Sequence, residues 1–254
     1  MIPIPKAGPG ASFAPIELRR SDRVFVLTGA GISAESGVPT FRDANGLWEN
    51  HRVEDVATPE GFARDPLLVW RFYSERRAQV EKVAPNPAHL ALARLGEALG
   101  DGLFLCTQNV DPLHELAGSR QVHHMHGELC KTRCERCDRP AFGDARSVRD
   151  VPRCDRCGGR LRPAVVWFGE MPIGMDAIFA ALESCDLFLT VGSSGAVHPA
   201  AGLVSHLRNH PSPRTGRFAR AIYVGLERPE NAHSFDECRL GKAGELLPSL
   251  FAVG

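Results

Sequence analysis

Five short and almost wholly apolar runs recur along this chain: Arg23–Thr28, Gly102–Thr107, Pro163–Phe168, Asp186–Val191 and Ala219–Val224. A strand with one wet face alternates polar and apolar residues; an unbroken apolar run needs cover on both faces, which crossover helices supply. Helical segments do lie between several of the runs. Asn86-Pro87 reads as an N-cap and first helical residue with Gly100 as the stop, Asp65-Pro66 opens another helix, and Met175–Cys185 and Pro199–Asn209 continue the alternation. The expected fold is therefore α/β, a Rossmann-like doubly wound parallel sheet.

Two stretches interrupt that rhythm. Residues from about 40 to 83 read as a helical insertion, and Lys131–Arg162 is poor in apolar residues and carries ten Lys/Arg against five Asp/Glu. The second stretch holds Cys134-x2-Cys137 and, after sixteen intervening residues, Cys154-x2-Cys157. That is zinc-ribbon spacing, and four thiolates fill a tetrahedral ion without leaving a position for water, so one structural zinc per chain is expected. The local positive charge is read as the solvated surface of this module. The expected organisation is a sheet domain over 19–126 and 163–254, a small zinc-binding domain over 127–162, and a flexible lead-in over 1–18.

Lys+Arg and Asp+Glu are 30 each, so no net charge draws the molecule to nucleic acid or membrane, and no apolar run reaches the roughly 20 residues that span a bilayer. Met1–Pro15 lacks a basic head followed by an apolar core, so no secretory signal is read there and a cytoplasmic location is expected. A monomer is expected.

Directly after the first apolar run comes Gly29-Ala30-Gly31-Ile32-Ser33-Ala34, a G-x-G-x-x-A turn between a strand and an expected helix. Glycines there allow a tight turn and close approach to a pyrophosphate at a helix N-terminus. A plain dehydrogenase would place an acidic residue at the end of a second strand about 20 positions on. Here the chain reads Pro39-Thr40-Phe41-Arg42-Asp43 and then Gly46-Leu47-Trp48, which is not a strand end.

The whole segment GAGISAESGVPTFRDANGLW resembles the NAD-binding signature of the sirtuins, the NAD-dependent protein lysine deacylases. Further blocks follow in the family's order: Thr107-Gln108-Asn109-Val110-Asp111, His126-Gly127-Glu128, the cysteine pairs, Phe168-Gly169-Glu170 and Gly192-Ser193-Ser194. The resemblance implies NAD as co-substrate, held by Gly29, Ala30, Gly31, Ile32, Ser33, Glu35, Phe41, Arg42 and Trp48, by Gln108, Asn109 and Asp111, and by Gly192, Ser193 and Ser194. At the adenosine end it implies Gly225, Glu227 and Ala243, although Gly225 stands where the family commonly has an asparagine. Pro112 likewise replaces the usual glycine. Read without the family, Asn109 and Asp111 are equally loop caps, and His123, His124 and His126 are equally candidate metal ligands.

The resemblance makes His126 the catalytic base, a role suited to imidazole near neutral pH. The implied reaction starts with attack of the acyl oxygen on the nicotinamide ribose, which expels nicotinamide. The base then deprotonates a ribose hydroxyl, and water releases lysine and O-acyl-ADP-ribose. The partners implied are acyl-lysine proteins or peptides, docked along Val166, Phe168, Gly169 and Glu170, an edge suited to strand addition.

Val69, Phe72, Tyr73, Arg76 and Val80 share one helical face, on which Arg76 interrupts an apolar stripe. Either it reaches a local carboxylate such as Glu75 or Glu81, or it serves a partner from outside. Tyr73-x-x-Arg76 resembles the motif of class III sirtuins, which prefer acidic acyl groups, so the expected activity is deacetylation together with desuccinylation, and demalonylation is also implied. The competing readings are a protein ADP-ribosyltransferase on the same NAD site, a zinc-ribbon dehydrogenase, and a non-catalytic NAD- or nucleic-acid-binding module.

Overall fold

Arg23–Thr28 becomes the centre of the molecule. The structure, a computed structural model, describes residues 13–39, 51–144 and 150–254 and the backbone of 47–48. Its strands are β1 (Ile16–Leu18), β2 (Val24–Thr28), β3 (Leu47–Trp48), β4 (His51–Arg52), β5 (Leu103–Thr107), β6 (Val122–His124), β7 (Gly127–Cys134), β8 (Phe142–Gly143), β9 (Leu161–Val165), β10 (Leu187–Val191), β11 (Arg220–Gly225), β12 (Glu237–Leu240) and β13 (Phe251–Val253). The helices are α1 (Val53–Val56), α2 (Pro59–Arg64), α3 (Pro66–Val80), α4 (Pro87–Leu99), α5 (Leu113–Leu116), α6 (Met175–Ser184), α7 (Leu203–Asn209) and α8 (Ala243–Leu246).

Six strands form one parallel sheet in the order β12-β11-β10-β2-β5-β6. All five residues of β2 and of β10 are buried, as expected for strands covered on both faces. On one face Val26, Leu105, Leu189 and Val224 pack against Leu92 and Leu95 of α4 and Ala243 of α8. On the other, Phe25, Leu27, Phe188 and Ala221 meet Ile178 and Leu182 of α6 and Leu203 and Leu207 of α7. The chain leaves β2 toward β5 on one side, and β10 pairs on the other. The carboxyl ends of β2, β5 and β10 thus flank a topological switch point, where doubly wound sheets bind ligands.

The caps form as the sequence requires. Asn86 accepts the Ala88 N–H while His89 accepts from the Asn86 N–H, and Asp65 accepts from Leu68 at the start of α3.

Three expectations are corrected. The run Pro163–Phe168 is not a strand of the parallel sheet: β9 covers Leu161–Val165 and pairs antiparallel with β7 in a three-stranded sheet, β8-β7-β9. The run is apolar because Val165 and Trp167, with Leu161 just before it, enter a third core with Phe62, Trp70, Phe72 and Leu129. That core joins the helical insertion to the cysteine-bearing sheet, and the buried Arg77 of α3 fastens the two by donating to the carbonyls of Leu129 and Lys131 and to Thr132 Oγ1. The segment after β2 is not an α-helix but two 3-10 turns, Ala30–Ile32 and Ala34–Ser36. And the end of the lead-in is ordered, because Ile16–Leu18 pairs in parallel with Phe251–Val253 and buries Ile16 and Leu18.

Candidate active site

A cleft of about 420 Å³ opens over the carboxyl ends of β2, β5 and β10. Gly29, Ala30, Gly31, Ser33 and Glu35 form one wall, Gln108, Asn109, Asp111 and His126 the floor, and Gly192, Ser193 and Ser194 the wall opposite. Val166, Phe168, Gly169 and Glu170 line one end beside Tyr73, and Gly225, Glu227 and Ala243 line the other. Twenty residues named from the sequence thus meet in one place.

The glycines have a reason that sequence reading alone did not supply. The Gly31 N–H donates to the Gly192 carbonyl, and a Cβ on Gly31 would lie 2.7 Å from that oxygen. Gly192 itself has φ +64, and a Cβ there would meet the Ile32 nitrogen at 2.5 Å. Two backbones pressed together, not only a ligand, exclude side chains here.

A polar network fixes the floor. Ser33 Oγ donates to Asp111 and accepts from Asn109 Nδ2, each at 3.1 Å. Asp111 is also held by the Leu113 N–H, and burial raises its pKa despite these bonds. Gln108 Nε2 donates to Ser193 Oγ at 3.0 Å, tying the ends of β5 and β10 together. Beneath, His89 and His114 are fully buried with ring centroids 5.0 Å apart, and burial lowers their pKa values to about 4 and about 3, so both are neutral. His126 Nδ1 lies 3.0 Å from the Gln108 carbonyl. Since a carbonyl only accepts, Nδ1 carries the proton and Nε2 is the basic atom. Burial lowers the His126 pKa, outweighing that hydrogen bond, and keeps the imidazole neutral near neutral pH.

Several named residues behave differently. The Ile32 side chain is wholly buried in the core under the sheet and gives no surface to the cleft. Glu170 lines the cleft, but its carboxylate takes two bonds from Arg162, at 2.7 and 2.9 Å, one from Arg133 and one from the Trp167 N–H. It serves the wall, and a peptide would find it engaged. Glu35 Oε1 accepts the Gly244 N–H next to Ala243, joining the first wall to the adenosine end. Tyr73 is fully buried, its oxygen accepts from Trp167 Nε1 at 2.9 Å, and burial raises its pKa. Arg76 stacks over the Phe72 ring at 5.0 Å with Glu75 3.9 Å away, and it is not among the described residues that line the cleft. Phe41, Arg42 and the side chain of Trp48 lie outside the described residues. Trp167, Ala57, His198 and Tyr223 also line the cleft and were not singled out from sequence; only Trp167, inside the quoted Phe-Gly-Glu neighbourhood, had a local signal.

Away from the cleft, the sulfurs of Cys134, Cys137, Cys154 and Cys157 all lie within 4.8 Å of one another. Cys134 and Cys157 are 3.5 Å apart, and Cys137 and Cys154 3.8 Å. Four sulfurs at about 2.3 Å from one zinc sit about 3.8 Å from each other. The N–H groups of Arg136 and Gly159 point at Cys134 and Cys157, as thiolate ligands require. The donor set fits one structural zinc.

Known proteins share this arrangement. Residues 29–199 match the model of the Sir2 family. NAD-dependent protein deacylases of Salmonella typhimurium and Pasteurella multocida are 51% and 50% identical to the chain, each over 91% of it and over 84% and 97% of their own length. Among solved structures, a Sir2 homologue bound to NAD superimposes with TM-score 0.80 at 40% identity, covering 91% of this chain and 89% of that one. A Sir2 protein bound to acetylated peptide gives 0.72 at 28%, covering 89% and 90%. On the extent of these matches and the ordered site they share, the chain belongs to the Sir2 family.

Proposed function

We propose that this protein is an NAD-dependent protein-lysine deacylase that removes both acetyl and succinyl groups, releasing nicotinamide and O-acyl-ADP-ribose. The observation that carries the reading is His126 in the cleft floor, neutral, with Nδ1 tied to Gln108 and Nε2 left as the base. Bound NAD supplies the electrophilic ribose carbon and the leaving nicotinamide. The chain's own groups do the rest. Ser33, Asn109 and Asp111 offer hydroxyl, amide and carboxylate to ribose hydroxyls and the carboxamide, and His126 Nε2 takes a hydroxyl proton. Phe168, only half covered, lines the cleft end with Val166 and Gly169, where an extended peptide would lie beside a backbone whose Val166 and Phe168 N–H groups already donate to the His126 and Ala57 carbonyls. The deacylase names of the relatives do not favour the dehydrogenase or ADP-ribosyltransferase readings.

The acidic-acyl part rests on Tyr73 at the cleft end, a phenol whose oxygen is held by the Trp167 Nε1–H. Arg76 lies one helical turn on in α3 and supplies the positive charge for a carboxylate. A cytoplasmic monomer completes the reading; among the described residues no helix is long and apolar enough to cross a membrane. Mass spectrometry of acetyl- and succinyl-lysine peptides with NAD tests it. Nicotinamide release with either peptide, abolished in His126→Ala, is expected; NADH formation or peptide-independent cleavage overturns it. Arg76→Met is expected to weaken succinyl turnover at least tenfold while acetyl turnover stays within about twofold. Equal losses refute the clamp.

A further inference from the structure

Two residues before the base stands a second histidine that the reaction as described leaves unused. His124 Nδ1 lies 3.1 Å from the Asn109 carbonyl and Nε2 2.7 Å from Glu115 Oε1. The His124 side chain is 7% exposed. A carbonyl and a carboxylate both only accept, so each ring nitrogen must donate, and the ring is an imidazolium. His126 grips the carbonyl of Gln108 and His124 that of the next residue, Asn109. The two rings thus hold consecutive peptide units of the segment that carries Gln108, Asn109 and Asp111 into the cleft.

We propose that His124 is a positioning residue which, in its doubly protonated form, ties the Asn109 carbonyl to Glu115 and so holds the Gln108–Asp111 segment in its NAD-binding arrangement. A neutral ring has one N–H. Whichever partner keeps it, the other oxygen then faces a nitrogen lone pair, and the segment loses a charge-assisted anchor. The groups that face the ring are Glu115 and His114 from α5, Glu128 from β7 and Asp111 from the segment itself. His114 is neutral, so the field is anionic. Burial alone would lower the His124 pKa, but the hydrogen bond and charge of Glu115 raise it above the usual imidazole value. The folded-state pKa is raised, so the anchor is complete below the ordinary histidine value and is lost as pH rises through the higher one.

The inference rests on NAD binding in the cleft but not on turnover, so its test uses ADP-ribose binding by calorimetry across neutral and alkaline pH. Nitrogen NMR of the imidazoles runs alongside. In the parent protein both His124 nitrogens are expected to read as protonated at neutral pH, and ADP-ribose affinity to fall about tenfold as the ring titrates. Glu115→Gln, a change at a surface carboxylate, is expected to move that alkaline limb down by about one pH unit. His124→Asn keeps one N–H for the Asn109 carbonyl and does not titrate, so its affinity is expected to be independent of pH over the same range. A limb absent from the parent, or unmoved in both variants, overturns the proposal. Loss of ADP-ribose binding in every protein at every pH overturns it together with the NAD-site reading, whereas normal binding without peptide turnover strikes only the deacylase reading.

Discussion

Glu170 offers the sharpest test of how the cleft is built, because its place in the sequence suggests a peptide contact and its geometry an internal brace. Its carboxylate accepts from Arg162 Nη1 and Nη2, from Arg133 and from the Trp167 N–H, while the Arg162 guanidinium lies 3.3 Å from the Trp167 ring centroid. Arg162 is 4% exposed. Glu170→Gln keeps the shape and one acceptor but leaves that buried guanidinium without its anion. Breaking a fully buried pair costs about 3–5 kcal/mol. The Glu170 side chain is 22% exposed, so solvent screens part of the pair and a loss of about 2–3 kcal/mol is expected. For a chain of this length that lowers Tm by about 5–10 °C. The pH dependence has a definite sign. Burial pushes the Glu170 pKa up, but the Arg162 hydrogen bonds and charge outweigh it and the net shift is downward. Its stabilisation is therefore complete above the unfolded carboxylate value of about 4.3 and lost as pH falls through the lower folded one. Urea unfolding of both proteins between neutral and acid pH should show a gap at neutral pH that closes in acid. Acetyl and succinyl turnover should fall together. A variant with unchanged urea midpoint and a raised peptide KM would refute the brace and restore Glu170 to the substrate.

Chelation of zinc, or Cys154→Ser, should unfold the lobe formed by β7–β9 and α1–α3, seen as a loss of helical circular dichroism and a release of one zinc per chain, because metal binding in such sites is coupled to folding. Gly192→Ala should cost about 2 kcal/mol or more, since φ +64 and a Cβ 2.5 Å from the Ile32 nitrogen combine strain with collision; a melting temperature equal to the parent's counts against the close-packed loops. The lowered His126 pKa predicts kcat/KM flat near neutrality and falling only below about pH 6.5, as the base protonates; an acid limb above that value contradicts the assignment. Trp167→Phe keeps an aromatic ring over Arg162 but removes the N–H that engages Tyr73, so succinyl KM should rise several-fold more than acetyl KM in steady-state assays.

What could be read from the chain followed the range of the forces involved. Strands buried on both faces leave a local signature, and β2, β5, β10 and β11 fall within a residue or so of the apolar runs. Caps are local too, and Asn86 and Asp65 start α4 and α3 as their side chains demand. Pro163–Phe168 has the same apolar signature but a different sheet, because apolarity records burial and not the partner. The partner of β9 is β7, and the core it fills is shared with helices nearly a hundred residues earlier. Ile16–Leu18 was read as loose for the same reason, since its hydrogen-bonding partner is the last strand of the chain.

The site shows the same division at finer scale. Gly29, Gly31 and Gly192 were legible as glycines that matter, but their reason is a contact between two loops more than 160 residues apart. Glycine marks that the backbone is crowded without naming what crowds it. Charged residues are more ambiguous still. Glu170 and Arg76 stand in motifs that suggest ligand contact, yet Glu170 has four protein donors and Arg76 a neighbouring ring and carboxylate. A carboxylate whose oxygens already accept four hydrogen bonds has little acceptor capacity left to offer a substrate, and moving it would cost the pair that holds Trp167. Trp167 in turn sets the Tyr73 hydroxyl. The acyl end of the cleft is therefore built as a chain of dependence, Glu170 to Arg162 to Trp167 to Tyr73, in which only the last member need meet the substrate. Selectivity for the acyl group should accordingly be tunable at Tyr73, at the Trp167 N–H that engages it and at Arg76, while changes at Glu170 and Arg162 lower stability and both activities together.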